Sequence, residues 1–314
     1  MMHKLSVKVY ADACISGCIL ITINCMVFRF LVILFCLFIF SADSFASEAY
    51  SYSKNNGVIG EIKTYAVKGD ESLIEIARKF GIGYNEITEA NPRLDPFIPG
   101  KGKTVQISTQ WVLPDVAAYE GIVINLSEMR LYYFTREMVM TYAIGIGDEG
   151  KDTPVGNFKI VDKIINPPWV VPASIRKERP ELPKVVPPGP NNPLGSHAMR
   201  LSRPSILIHG TNKPFAVGRK ASHGCIRLYP EDIPDLFKVV PNKTKVTIIR
   251  QPVKTGVSGG KVYLEVHKDN AIRINYFNEA VRLLKKNNVY QYIDRTKLLA
   301  TLKEKNGIPV IISK

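Results

Sequence analysis

Residues 166–195 hold nine prolines in thirty positions (167, 168, 172, 180, 183, 187, 188, 190 and 193), a density that constrains the fold more than any other stretch. Each proline fixes φ and removes a backbone N–H, so this tract can be neither a long helix nor an interior strand. Short runs rich in β-branched and aromatic residues flank it: 121–126, 130–134, 139–146 and 158–164 before it, 205–209 and 245–249 after it. Polar turns separate them, and only 231–239 has clear helical spacing. Strands at this spacing predict a mainly β domain over 119–250, an antiparallel sandwich or barrel. A long proline-rich excursion inside such a domain is expected to be ordered and functional, as a lid over a site.

The chemistry-bearing residues follow that excursion. Cys225 lies between Gly224 and Ile226, with His223 two positions before it and His209 sixteen before it. A neutral thiol is a poor nucleophile, with a free pKa of about 8.5, and needs a nearby imidazole or positive field to form thiolate near neutrality. Gly224 lets the backbone approach a substrate, and its N–H and that of Cys225 can point at a developing oxyanion. The competing reading is a buried structural cysteine beside two histidines. His209, His223 and Cys225 lack a fourth ligand and the paired spacing of a zinc site, so neither metal nor cofactor is expected.

The N-terminus bears on which reading holds. Residues 30–40 are an eleven-residue apolar run after Arg29, followed by small residues at Ser44 and Ala46. That is the pattern of a secretory signal over 1–46, with Met26 an alternative start. A membrane-spanning helix needs about 20 apolar residues, so no stable span is expected after cleavage. The protein is therefore expected in the periplasm, the cell wall or outside the cell. Cleavage would remove Cys14, Cys18, Cys25 and Cys36 and leave Cys225 alone. A single thiol in an oxidising compartment cannot form an internal disulfide, which favours the reactive reading. The formal net charge of +14 suits an acidic wall polymer or membrane surface. Without clustered arginine and aromatic motifs, nucleic acid is not an expected partner.

After a leader at 47–61, residues 62–108 read as a β-α-α-β unit. A strand at 64–67 and a turn precede Leu73, Ile76, Ala77 and Phe80 at helical spacing, and Gly81 ends that helix. A second helix at 84–90 stops before Asn91 and Pro92, and 103–108 is the closing strand. Tyr65, Val67, Gly69, Asp70, Leu73, Ile76, Ala77, Gly81, Ile87, Ala90, Asn91, Pro92, Gly102, Val105 and Ile107 resemble the LysM pattern. The resemblance implies binding of N-acetylglucosamine-containing glycan, hence peptidoglycan, with loops 69–73 and 87–91 as candidate contacts.

His209, Gly210 and Thr211, then Ser222, His223, Gly224, Cys225, Ile226 and Arg227, resemble the signature of the L,D-transpeptidase (YkuD) catalytic domain. Gly147, Thr153, Pro154, Gly156, Phe158, Trp169 and the 188–195 stretch extend the likeness over 119–250. The resemblance implies that Cys225 attacks the bond between diaminopimelate and D-alanine in a peptidoglycan stem, forming a thioester. His209 would be the proton donor and acceptor, oriented by the backbone carbonyl of Gly210. His223, Ser222 and Gly224 would shape the site and its oxyanion region, and Arg227 would hold a substrate carboxylate. The acceptor would be an amine of a second stem, giving a 3–3 cross-link, or a lysine of an outer-membrane lipoprotein. The alternatives are a Cys/His carboxypeptidase or hydrolase using water and a non-catalytic wall-binding protein. Residues 253–314 read as an accessory α+β segment: a linker-like turn at 256–260, a strand at 261–267, helices at 272–286 and 296–305, and a strand at 308–312. It is too short for an assured core of its own and is expected to pack on the catalytic domain, with His267 structural.

Overall fold

The computed structural model describes residues 49–53 and 56–314. The signal-like segment 1–46 and its four cysteines lie outside the described residues. Among the described residues, no helix is long and apolar enough to cross a membrane.

The described chain begins with β1 (Ala49–Ser51), then folds a small unit from β2 (Val58–Ala66), α1 (Leu73–Lys79), α2 (Tyr84–Ala90) and β3 (Thr104–Val112). β2 and β3 pair antiparallel from Val58↔Val112 to Ala66↔Thr104, so both strands exceed the expected 64–67 and 103–108. A capping box starts α1: Glu75 N–H donates to Ser72 Oγ at 3.2 Å, and Ser72 N–H donates to Glu75 Oε2 at 2.8 Å. Most of 47–61 is not a passive leader. β1 pairs with a strand of the main sheet, and the Tyr52 ring packs edge-on against Tyr119 and Phe134.

The middle of the chain supplies β4 (Gly121–Asn125), β5 (Arg130–Phe134), β6 (Met138–Ala143), β7 (Ile146–Gly147), β8 (Gly156–Ile165) and β9 (Trp169–Val170). There follow α3 (Ala173–Glu178), β10 (Val185–Val186), β11 (His197–Leu201), β12 (Leu207–His209), β13 (Lys220–Ser222), β14 (Ile226–Arg227), α4 (Asp232–Val239) and β15 (Lys245–Ile249). Nine strands join one sheet in the order β1-β6-β5-β4-β15-β8-β11-β12-β14. The class is mainly β, and most pairings are antiparallel. Within that sheet two are parallel, β15 with β4 and β12 with β14, and outside it β13 pairs parallel with β7. α4 begins within a residue of its predicted start, whereas α3 and β11 have no counterpart in the sequence reading.

Period-2 alternation explains why the sheet carries two cores. Ile122, Ile124 and Leu131 join Ile160, Met199, Ile208, Ile226, Leu228 and the α4 residues Ile233 and Leu236 in one cluster. Their neighbours Val123, Tyr132 and Phe134 point the other way, into a cluster with Ile59, Val67, Leu73, Ile76, Ile87 and Trp111. The β-α-α-β unit thus closes the second face of the same sheet.

The last segment forms β16 (Val253–Ser258), β17 (Lys261–Val266), α5 (Tyr276–Lys286), α6 (Arg295–Glu304) and β18 (Val310–Ile311). It has its own apolar cluster, including Leu264, Leu283, Leu284, Leu298 and Ile312. The expected linker at 256–260 is instead part of a hairpin. Gly256 lies within β16 because a Cβ there would come within 2.9 Å of Val112 Cγ1, while Gly259 and Gly260, at φ 54° and 73°, make the tight turn.

Three parts of the chain meet at a buried ionic junction. Lys254 Nζ donates to Glu128 Oε2 at 2.6 Å and pairs with Glu265 Oε1 at 2.8 Å. His267 Nε2 lies 2.6 Å from Glu265 Oε1, and its Nδ1 lies 3.5 Å from Glu89 of α2. Beside them Arg130 pairs with Glu86 at 2.7 Å and stacks over Trp111, whose indole N–H also donates to Glu86.

Candidate active site

The site is built on the parallel pairing of β12 with β14, where Ile208 faces Ile226 and His209 faces Arg227. Ile208 and Ile226 are fully buried in the core. Alternation therefore puts His209 and Arg227 on the opposite face, and Cys225 immediately precedes β14. Gly145 clamps the outer side of this short strand, exchanging N–H···O bonds with Arg227 at 2.8 and 2.9 Å.

A tight turn presents the thiol. Gly224 has φ 99°, a conformation that a side chain rarely adopts, and a Cβ there would press on Ile206 Cδ1 at 3.3 Å. Ser222, 2% exposed, ties the turn together: its Oγ donates to the Cys225 carbonyl at 2.6 Å and accepts from Gly224 N–H at 3.1 Å. Buried Thr153 holds it from the other side, donating to the Gly224 carbonyl at 3.1 Å and accepting from Gly147 N–H at 2.9 Å. Gly224 N–H is thus engaged by Ser222. The sequence expectation that this N–H points at an oxyanion does not match the resting geometry, and Gly224 serves the shape of the turn.

Cys225 is half-buried, and its thiol donates to the Ser205 carbonyl at 3.6 Å. Burial pushes the thiol up, with the nearby charges of Arg227 and Arg200 pulling the other way. His209 is buried, and burial together with the Arg227 charge pushes its imidazole down to about 3. The carbonyls of Gly210 and Leu194 pull in the opposite direction. His209 Nδ1 lies 2.6 Å from the Gly210 oxygen. A carbonyl can only accept, so Nδ1 carries the proton and Nε2 keeps its lone pair. The resting pair is consequently a neutral thiol and a neutral imidazole rather than an ion pair. Arg227 is half-buried and, among the described residues, its Nε has no hydrogen-bond partner, an arrangement that suits an incoming anion.

His223 does not join this group through any hydrogen bond. Its Nε2 lies 2.8 Å from Lys151 Nζ and 3.3 Å from Glu178 Oε2, and Lys151 pairs with Glu178 at 2.8 Å. Glu178 ends α3, so the proline-rich excursion reaches the turn that carries the nucleophile. The excursion is ordered by Asn192, which is fully buried. Its amide donates to the carbonyls of Pro167, Val186 and Pro187, and its oxygen accepts from Leu194 N–H at 2.9 Å. Lys151 and Glu178 escaped the sequence reading, and Asn192 entered it only within the 188–195 stretch. Asn192 alone left a signal, as a polar residue amid prolines.

Glu128, Glu265 and His267 place one ligand atom each within 4.8 Å of one another, but Lys254 Nζ already bridges the two carboxylates as their cation. His267 is structural, as expected from its place at a strand end.

Comparison with known proteins gives the family. A model of the L,D-transpeptidase catalytic domain (YkuD) matches residues 120–248. The protein named "Probable L,D-transpeptidase YcfS" of Escherichia coli (strain K12) is 42% identical over 230 residues, covering 69% of this chain and 72% of that protein. "Probable L,D-transpeptidase YbiS" of the same strain is 39% identical over 255 residues, or 76% and 83% of the two chains. "Probable L,D-transpeptidase ErfK/SrfK" of that strain is 36% identical over 298 residues, 88% of this chain and 96% of its own length. Similarity of this extent, running well beyond the catalytic stretch, makes the chain a member of the L,D-transpeptidase family.

Proposed function

We propose that the protein is an exported peptidoglycan L,D-transpeptidase in which Cys225 is the nucleophile and His209 the proton donor and acceptor. The observation that supports this reading is the β12–β14 register, which sets His209 beside Arg227, with Cys225 immediately before β14. Cys225 Sγ attacks the carbonyl that joins diaminopimelate to D-alanine, and its proton passes to the His209 lone pair. The Gly210 and Leu194 carbonyls stabilise the imidazolium as it forms. The developing oxyanion falls to the N–H of Cys225, because Ser222 holds that of Gly224. His209 returns the proton to the leaving D-alanine amine, and a thioester remains on Cys225. An acceptor amine then attacks the thioester, gives its proton to His209 and releases the thiol. Arg227 holds a carboxylate of the stem. The acceptor is a second diaminopimelate or a lipoprotein lysine. No cofactor takes part.

The β-α-α-β unit is the LysM-type glycan module in this reading. Its support is a groove of about 250 Å³ lined by Gly69, Asp70, Glu71 and residues 97–101. Phe97 and Ile98 are 61% and 81% exposed there and offer apolar surface to a sugar face. The 87–91 loop suggested by sequence is not part of that groove. Asn91 is buried and holds β3, its amide donating to the Gln106 carbonyl at 2.8 Å.

The test is mass spectrometry of products from a diaminopimelate-containing disaccharide tetrapeptide, with Cys225→Ala alongside. Dimers joined through two diaminopimelates, absent with the variant, are expected. Tripeptide without dimers, even when a lipoprotein acceptor is supplied, would make the protein a hydrolase. Unaltered turnover by Cys225→Ala would remove the cysteine mechanism.

A further inference from the structure

The proline-rich excursion touches the mouth of the site through one carboxylate. α3 has no buried residue, so little apolar packing holds it in place. At its end, Glu178 meets Lys151 and His223, whose side chains are 36% and 38% exposed. Lys151 Nζ lies 2.8 Å from both Glu178 Oε2 and His223 Nε2, so one ammonium reaches the carboxylate and the imidazole together. His223 belongs to the nucleophile's turn, and Lys151 to a loop packed against it. His223 is two residues from Cys225, and the Lys151 and Asp152 carbonyls lie against Gly224, 3.6 and 3.4 Å from where a Cβ would stand. A carboxylate is therefore already bound at a basic pair beside the nucleophile, and the excursion itself supplies it. Exposed ion pairs of this kind hold weakly and exchange readily.

We propose that Lys151 and His223 form the subsite for the terminal carboxylate of the departing residue, and that Glu178 is a built-in stand-in for it. The donor peptide then exchanges one carboxylate for another and releases α3 from the mouth. The terminal carboxylate of a one-residue leaving group lies about one residue length, roughly 3.5 Å, beyond the scissile bond, and His223 stands two residues from Cys225. This subsite is separate from Arg227, which is half-buried and lies beside His209 in the β12–β14 pairing. The inference rests on the transpeptidase reading above, and its test has one arm that does not depend on turnover.

In that arm, the peptide containing Cys225 is followed by mass spectrometry while the full chain reacts with iodoacetate, an anion, or with neutral iodoacetamide. Glu178→Gln frees the basic pair and should raise the iodoacetate-to-iodoacetamide rate ratio about threefold or more, whereas Lys151→Met should lower it by a similar factor. Identical ratios in all three proteins would overturn the subsite whatever the enzyme's activity. In the second arm, the tetrapeptide donor is compared with its C-terminal amide. Lys151→Met should raise KM about tenfold for the carboxylate donor and little for the amide. An equal rise for both would show a structural role only and overturn the proposal. Failure of the parent reading looks different: Cys225→Ala would still turn over, while the alkylation ratios would still report on the basic pair.

Discussion

His267 offers the sharpest test of the buried junction. It is 1% exposed, and burial alone would push its imidazole down. The adjoining carboxylates of Glu265 and Glu89 outweigh burial and hold it up at about 10, against an ordinary value of 6.5. A folded pKa above the unfolded one means that the charged ring's stabilisation is fully present below about pH 6.5 and is lost as pH climbs towards 10. A tenfold difference in proton affinity between the folded and unfolded states is worth about 1.4 kcal/mol, so wild type should lose about 4 kcal/mol between pH 6.5 and 9.5 from this group. Lys254, Arg130 and the Tyr132 hydroxyl are all held above their ordinary values, and burial also pushes the Glu128 carboxyl up. His267→Gln keeps a hydrogen-bond donor near Glu265 and removes the charge. Urea unfolding of both proteins at pH 6.5 and 9.5 reads the difference. The thiol of Cys225 titrates in both and cancels. The stability gap should be widest at pH 6.5 and should close by most of those 4 kcal/mol at pH 9.5. A gap that stays constant across the range would refute a charged, ion-paired His267.

Other perturbations have equally definite outcomes. Because the resting Cys225–His209 pair is neutral, alkylation by iodoacetamide should rise along a single ionisation above the ordinary thiol value of about 8.5; a plateau already reached at pH 6 would mean a preformed ion pair. Ser222→Ala leaves the Gly224 N–H without its partner, which should cost about 1–3 kcal/mol in thermal or urea melts and on the order of 10²-fold in kcat through misplacement of the thiol. Unchanged kcat would count against Ser222 as the brace of the turn. Lys254→Met strands two buried carboxylates and should cost about 3–5 kcal/mol at neutral pH, with a smaller deficit below pH 5 once they are protonated. Deleting 62–108 should give protein that fails to fold cooperatively, seen as loss of a sharp thermal transition, because it uncovers Val123, Tyr132, Phe134 and the Arg130 charge.

The site was legible where its chemistry is local. Ser222, Gly224 and Cys225 fall within four consecutive residues, and the turn they form depends on a glycine at positive φ and a serine hydroxyl, both visible as letters. The alternation of Ile208 with His209 and of Ile226 with Arg227 already fixes which residues face away from the core. Lys151 and Glu178 were not legible, because they come together from positions 72 and 45 residues away from His223. The path that joins them runs through prolines, which state what the backbone cannot do and leave its course open. β11 was missed for a related reason. His197-Ala-Met-Arg-Leu201 has little β-branched character, and its extended form comes from ladders to β8 on one side and β12 on the other. The glycines at 256, 259 and 260 illustrate a third limit. One needs close approach to Val112 and two make a turn, yet in sequence all three look like a linker.

The same logic bears on how the parts of the chain work together. A module that merely tethers an enzyme to its polymer needs its own closed core and a flexible connection. Here the β-α-α-β unit has no separate core. Ile59, Leu73, Ile76 and Trp111 pack in one cluster with Val123, Tyr132 and Phe134 of the catalytic sheet. Polar contacts fix the angle as well: Arg78 pairs with Glu231 at 2.7 Å, the Tyr229 hydroxyl donates to the Ile82 carbonyl at 3.0 Å, and the Asn85 amide donates to the Glu128 carbonyl at 2.8 Å. The C-terminal segment braces the joint through Lys254, Glu265 and His267. A groove that binds glycan on this unit would hold it at a set distance and angle from Cys225. Glycan binding would then select which stem peptides reach the thiol, and not only raise their local concentration.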